Sequence, residues 1–296
     1  MDIRFELYKT FYYVAKELSF SKAAEALFIS QSAVSQAIKA LEEALDCKLF
    51  NRHTKRVKLT KEGKVLFNHV EQALNFLKRG EDSISSMKDL TQGELWIGAS
   101  DTICKYYLIP HLEKFHKLYP GIKIKITSRT SPVCMDLLIK GNIDLAVVNI
   151  PEGFVDKNLK IHGVKNIQDK FIVGKKYRAL AQRELTLREL SQYPILMLEK
   201  NSTTRKFFND YLLNNDVKLE PEIELSSIEL MVELTKIGLG VSFAVEEVVR
   251  EDLINEELYE IKVKEAIPSR SMAILTNVTI PDSHAATKFI EVIEAN

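Results

Sequence analysis

Disulfides, membrane spans and metal clusters have little to build on in this chain. Its three cysteines, Cys47, Cys104 and Cys134, show neither CxxC nor CxxH spacing, so a disulfide framework and a zinc module are both excluded. They are expected as small buried or half-buried residues of a reducing cytoplasm. Cys104 lies near the candidate site below, which leaves a redox or ligand contact as its alternative role. The histidines are scattered singly, and neither a metal nor a cofactor is expected. No stretch approaches the roughly 20 apolar residues that a membrane span requires, and the start is charged from Asp2 and Arg4 onward. A cytoplasmic protein is expected. GxSxG, P-loop and HExxH patterns are missing, as is a Cys–His pair in suitable context, which argues against an enzyme.

Net charge is also lacking, but its distribution is uneven. Met1–Val70 carries twelve Lys and Arg against eight acids, and the remainder of the 296 residues is acidic by the same margin. A basic head on an acidic body confines nucleic-acid contact to the head.

Phe20–Leu41 reads as a helix-turn-helix. Ser21–Leu27 is an Ala-rich helix, Phe28-Ile29-Ser30 a tight turn, and Gln31–Leu45 a second helix with Ser30 at its N-cap. At about 100° per residue, Val34, Ile38, Leu41 and Leu45 share one side of that helix. Ser32, Ser35, Gln36 and Lys39 share the other. Short donors and acceptors with one cation suit the base edges and phosphates of a major groove. Taken alone, the same face would serve simply to meet water. The flanks decide between the two. Leu7, Phe11, Val14 and Leu18 keep helical spacing and supply a helix to pack behind the motif. Downstream, alternation around Arg56–Leu59 predicts a two-stranded wing, and Lys48, Arg52, Lys55, Arg56, Lys58, Lys61 and Lys64 crowd a span whose only acid is Glu62. Such a run beside a helix-turn-helix neutralises phosphates.

Ala23-Ala24, Leu27, Ser30–Ser35, Ile38, Leu41-Glu42, Leu49–Arg52, Leu59-Thr60 and Gly63 closely resemble the N-terminal winged helix-turn-helix of LysR-type transcriptional regulators. Ser32 departs from the proline common in that family, and Asp46-Cys47 from a common Leu-Gly pair. Neither change removes a group facing the groove. The resemblance and the pattern together nominate Gln31, Ser32, Ser35, Gln36 and Lys39 for bases, with Arg52, Lys55 and Arg56 for flanking phosphates of double-stranded DNA.

From Thr60 to about Leu90 there is no proline, and Leu66, Val70, Ala73, Leu77, Gly80, Ile84 and Met87 alternate in steps of four and three. That is an a/d seam, expected to pair with a second copy. A helix lying along its own body is the alternative, and Gly80 weakens the seam. The resemblance implies an antiparallel pair of linker helices and, commonly, a tetramer.

Beyond Thr91-Gln92-Gly93, strand and helix patterns alternate, predicting two α/β lobes with mostly parallel sheets. Gly98–Ser100, Phe115, Tyr119-Pro120, Leu137-Leu138, Gly141, Ile143–Ala146, Ser202–Arg205 and Gly238–Val241 resemble the LysR-type effector domain, which implies a type 2 periplasmic-binding-protein fold. The expected layout is a winged helix-turn-helix at 1–60 and a dimerising linker helix and hinge at 61–91. An effector domain follows at 92–296, with lobe I near 92–163 and 268–296 and lobe II near 164–267. A transport-type binding protein would leave the N-terminal third unexplained, and a small winged-helix repressor would leave the rest idle.

Residues that end strands or open helices face the cleft in such a fold, where orphan N–H groups attract anions. Ser100, Thr102, Arg129, Ser131, Asn149, Ser202 and Thr203 are therefore the candidate effector-binding residues. Each Ser and Thr also suits a plain helix cap. Asp101 would repel a dianion unless Arg129 or Arg205 offsets it, so a small carboxylate or amphoteric metabolite is expected.

Overall fold

The computed structural model describes residues 3–51, 57–86, 93–151 and 153–295. It comprises two compact units: Met1–Lys88 with Lys140–Asn142, and Asp89–Ile139 with Ile143–Asn296.

In the first unit, α1 (Phe5–Glu17), α2 (Phe20–Leu27) and α3 (Gln31–Ala44) precede a wing of β1 (Phe50–Asn51) and β2 (Lys58–Leu59), then α4 (Lys61–Ser86). Side chains cap the two helices of the motif where the sequence offers serine. Ser19 accepts from the Lys22 N–H at 3.3 Å, and Ser30 from the Ala33 N–H at 3.2 Å. Phe11, Val14, Ala23, Val34, Ile38 and Leu41 form one buried core. β1 and β2 pair antiparallel, Phe50 opposite Leu59. Arg52, Lys55 and Arg56 lie outside the described residues.

Two contacts join helix to wing. Glu42 is buried and accepts from the Leu49 N–H at 2.8 Å, the Phe50 N–H at 3.3 Å and Lys48 Nζ at 3.1 Å. Burial opposes its charge, yet these donors hold its carboxyl below the usual carboxylate value. Thr60 Oγ1 donates to the Lys48 carbonyl at 2.7 Å and accepts from the Gly63 N–H at 2.9 Å, so it anchors α4 to the strand. A Cβ at Gly63 would collide with the Leu49 carbonyl oxygen. Only glycine lets the helix approach so closely.

The apolar seam of α4 is divided. Val70 is buried and Leu66 packs beside it in the core of its own head, together with Phe67 and Leu74. Phe76 (48% exposed), Leu77 (50%) and Ile84 (66%) remain open. The first half of the seam is thus spent on its own body, and only the second half is left for a partner. Met87 lies outside the described residues.

The second unit holds two five-stranded sheets. Its first part runs β3 (Gly93–Ala99), α5 (Asp101–Ile103), a π turn over Cys104–Leu108, α6 (Ile109–Leu118), β4 (Ile122–Ser128), α7 (Ser131–Ile139), β5 (Leu145–Ile150) and β6 (Leu159–Ile167). The chain then passes into the second sheet through β7 (Asp169–Gly174), a 3-10 segment over Lys175–Gln182, α8 (Leu187–Leu190), β8 (Ile195–Leu198), α9 (Thr203–Asn214), β9 (Ile223–Leu225), α10 (Ile228–Lys236), β10 (Val241–Val245), α11 (Glu246–Ile254) and β11 (Leu258–Ile261). β12 (Arg270–Asn277) returns it to the first sheet before α12 (His284–Glu294). Strand orders are β4-β3-β5-β12-β6 in lobe I and β11-β7-β10-β8-β9 in lobe II.

The expectation of mostly parallel sheets needs correction. In lobe I, β3 runs parallel to β4 and β5, whereas β12 is antiparallel to β5 and β6. In lobe II, β8 is parallel to β9 and β10, whereas β7 is antiparallel to β10 and β11. Antiparallel neighbours need no crossover helix, and the strands next to the lobe crossings are the ones that use this freedom. β6 also extends lobe I to Ile167, past the expected change near 163. Gly238 turns left-handed at φ +81°, and a Cβ at Gly240 would strike the Pro194 carbonyl, so this glycine pair sets α10 tightly against β8 and β10.

Glu42→Ala should cost the head about 1–3 kcal/mol, because the Leu49 and Phe50 N–H groups lose their acceptor. Since the folded carboxyl titrates below its unfolded value, its contribution is complete above the ordinary carboxylate range and is lost as pH falls through the folded value. Denaturation of parent and Glu42→Gln chains from pH 7 downward should show acid loss attributable to this group in the parent alone. Equal acid sensitivity would contradict the assignment.

Candidate functional site

On the head, Gln31, Ser32, Gln36 and Lys39 are exposed on α3, while Ser35 is half-buried. Ser32 Oγ lies 2.9 Å from Ser30 Oγ, and Ser21 Oγ donates to Gln31 Oε1 at 3.3 Å. The start of α3 is thereby oriented before any partner arrives. Lys39 Nζ sits 3.6 Å from Glu43, a solvent-exposed pair that a phosphate can displace at little cost. Phe28 was not singled out by its pattern. It holds a left-handed φ of 55° and is 95% exposed at the turn before α3. Its signal in the sequence is a bulky apolar residue at a turn position that ordinarily takes glycine or asparagine.

In the second unit, one cavity of about 530 Å³ is lined from both lobes, a volume in the range of small-molecule sites. Ser100, Thr102, Arg129, Ser131, Asn149, Ser202 and Thr203 all stand on its wall. The plain cap reading is also true for several of them. Ser100 accepts from the Ile103 N–H at 3.3 Å and Ser202 from the Arg205 N–H at 3.0 Å. Ser131 is buried and takes the Asn149 N–H at 3.1 Å, locking α7 to the end of β5.

Tyr106, Tyr107, Lys165, Glu229, Glu247 and Met272 also stand on the wall, beyond the residues that the sequence pattern nominates. Glu247 follows β10 at the opening of α11, so the strand-end rule applied to that strand would have found it. Lys165 belongs to β6, whose mixed polarity hid the strand. Two ion pairs join the lobes beside the cavity. Lys105 meets Glu229 at 2.8 Å and Lys165 meets Glu247 at 3.4 Å. Lys165 also stands over the Tyr107 ring at 5.4 Å.

Arg129 and Arg205 are not equivalent. Arg129 is exposed on the wall and donates to the Ser128 carbonyl at 2.7 Å. Arg205 is buried, with Nη1 on the Leu198 carbonyl at 2.7 Å and on Glu224 at 2.9 Å, and Nε on Asn209 at 3.0 Å. It is spent on the fold and leaves Arg129 to offset Asp101. Cys104 is not among the wall residues. Burial, with Asp101 and Cys134 nearby, pushes its thiol up to about 11, so it stays protonated at neutral pH and lacks the thiolate that redox chemistry needs.

Among the described residues no helix is long and apolar enough to cross a membrane. Residues 5–64 match the model of the bacterial regulatory helix-turn-helix protein, lysR family, and residues 88–296 that of the LysR substrate binding domain. The chain is 30% identical over 283 residues to a probable RuBisCO transcriptional regulator of Thalassiosira pseudonana, covering 93% of this chain and 91% of that one. It is 26% identical over 293 residues to the HTH-type transcriptional regulator CysL of Bacillus subtilis, covering 99% and 97%. Among solved structures, a full-length OxyR variant from Pseudomonas aeruginosa superimposes with a TM-score of 0.72 at 22% identity, over 99% of this chain and 95% of that chain. A helix-turn-helix with its wing and a two-lobed cavity unit, the parts that the two family models match, thus occur in one polypeptide, with a long helix between them in sequence. The chain belongs to the LysR-type transcriptional regulators.

Proposed function

We propose that this regulator senses a small polar metabolite bearing a carboxylate in the cavity between its lobes and thereby alters how paired heads sit on DNA in the cytoplasm. The division of labour is a winged head over 1–60, a dimerising helix and hinge over 61–91, and an effector domain over 92–296. The observation that carries the reading is the convergence of Ser100, Thr102, Arg129, Ser131, Asn149, Ser202 and Thr203 on one cavity. Capping alone does not require strand ends and helix starts of two lobes to meet at one space. A ligand biases an open–closed equilibrium only through tighter binding to one form, and a cavity with walls from both lobes supplies that difference.

On DNA, Gln31, Ser32, Ser35, Gln36 and Lys39 meet the major groove, while Arg52, Lys55 and Arg56 hold flanking phosphates. Gln36→Ala should cost about 1–3 kcal/mol at the cognate site and relax one base position. Arg56→Ala should weaken all sequences alike and reduce the salt slope by about 1. Titrations against the DNA upstream of its own gene, at several salt concentrations, separate the two. Unchanged affinity in both variants contradicts the assignment.

Phe76, Leu77 and Ile84 leave an apolar face on α4 that a second copy would cover, spacing two heads by whole DNA turns of about 34–36 Å. Further contacts between effector domains would complete a tetramer. Leu77→Lys should lower the mass seen by light scattering. A mass equal to the parent's places the self-association elsewhere.

Ser202→Phe and Ser100→Phe should fill the cavity, leaving operator affinity within about twofold while transcription no longer responds to the metabolite. Thermal melts check that both variants fold. A normal response in folded variants would show that these serines are caps and that the effector binds elsewhere.

A further inference from the structure

Among the described residues, the buried side-chain oxygens without a hydrogen-bond partner belong to Asn149, Thr203 and Glu247. All three residues stand on the wall of the one cavity, Asn149 from lobe I and the other two from lobe II. A buried orphan forfeits its hydration without a replacement partner, and native proteins hold few of them. Their grouping on one wall matters more than their number. A carboxylate oxygen and an amide oxygen can only accept, and a threonine hydroxyl can do either. The wall therefore asks a ligand for hydrogen-bond donors, beyond the acceptors that Arg129 and the first turn of α9 would satisfy.

Charge points the same way. The wall carries three carboxylates, Asp101, Glu229 and Glu247; Lys105 beside the wall offsets Glu229, and Arg129 and Lys165 stand against the other two. Lys165 reaches one oxygen of Glu247 at 3.4 Å, while the orphan is the other oxygen. A dianion finds no surplus of positive charge in this balanced space, whereas a zwitterion is matched at both ends.

Resting on the effector reading above, we infer that the cavity selects a small amino acid-like zwitterion, with Glu247 and Asn149 accepting from its ammonium group. Glu247 is then the residue that distinguishes an aminated acid from its deaminated counterpart. Arg129, with the Thr203 hydroxyl, takes the carboxylate.

The test uses the full-length protein and matched probes: the common amino acids against their 2-oxo acids, such as glutamate with 2-oxoglutarate and alanine with pyruvate. Thermal shift identifies binders and calorimetry gives their Kd. The expected result is one or more aminated members preferred over their oxo partners by at least about tenfold. Glu247→Gln, which keeps the size and removes the charge, should lose that preference. Lys165→Met severs the same ion pair without touching the carboxylate and should keep it, which separates recognition from a merely structural effect. Oxo acids binding as tightly as their amino partners, or an amine preference that survives in Glu247→Gln, would overturn this inference and leave the effector reading standing. Binding by neither series overturns both.

Discussion

The buried pair of Asp169 and Arg270 is the contact on which the effector unit turns. Asp169 opens β7 and Arg270 opens β12, the two strands that begin where the chain crosses between lobes. Two hydrogen bonds of 2.6 Å join the carboxylate to the guanidinium. Arg270 also donates to Thr204 Oγ1 at 3.1 Å and lies over the Phe207 ring at 5.1 Å. One side chain thus fixes both crossings and the start of α9. Such a pair contributes little net stability once desolvation is counted, but removing either partner strands a buried charge. Its value here is geometric. With the crossings fixed, Ile167, Thr204 and Met272 beside them become cavity wall, and the lobes keep one shared boundary.

The cavity follows from ordinary capping chemistry placed on that frame. Ser100, Ser202 and Ser227 each accept an N–H from the first turn of a helix, which the helices need whether or not a ligand exists. Parallel strand–helix units in both lobes bring these starts to the cleft side. The polar wall is therefore a by-product of topology that a ligand can exploit. Arg129, Lys165, Asp101 and Glu247 on the same wall are charged groups that capping does not explain, and the proposed selectivity rests on them.

How much of this could be read from the sequence depends on how local each cause is. Caps, amphipathic helices and the short wing strand Lys58-Leu59 are written in neighbouring residues, and the seven wall residues follow from one local rule. β6 does not. Its run Leu159–Ile167 has buried ends and a middle of mixed polarity with no alternation of buried and exposed residues, and it becomes a strand because β12 pairs along its length. The mixed sheet order has the same origin in contacts distant along the chain. Arg205 reads as a free cation beside Ser202 in the sequence, whereas Leu198 and Glu224 hold it in the fold. The α4 seam is legible as a period. Which half faces its own head depends on α1, whose Tyr12 stacks on Phe67 at 5.7 Å, in the core that takes in Leu66 and Val70.

The head and the effector unit join their parts by different contacts. In the head, Glu42 and the missing side chain at Gly63 lock wing to helix, so the surface carrying α3 is rigid before DNA is met. Between the lobes lie a shared apolar core and the buried Asp169–Arg270 pair, joined beside the cavity by the exposed pair of Lys105 and Glu229 at 55% and 51% side-chain exposure. An exposed pair of this kind contributes at most about 1 kcal/mol, so it adds little to the buried contacts that join the lobes. Asn149, Thr203 and Glu247 leave buried oxygens without a partner on the cavity wall, and under the effector reading proposed above a ligand donor would satisfy them. On that reading the occupant of the cavity biases the lobes, while Glu42 and Gly63 keep the wing on its helix.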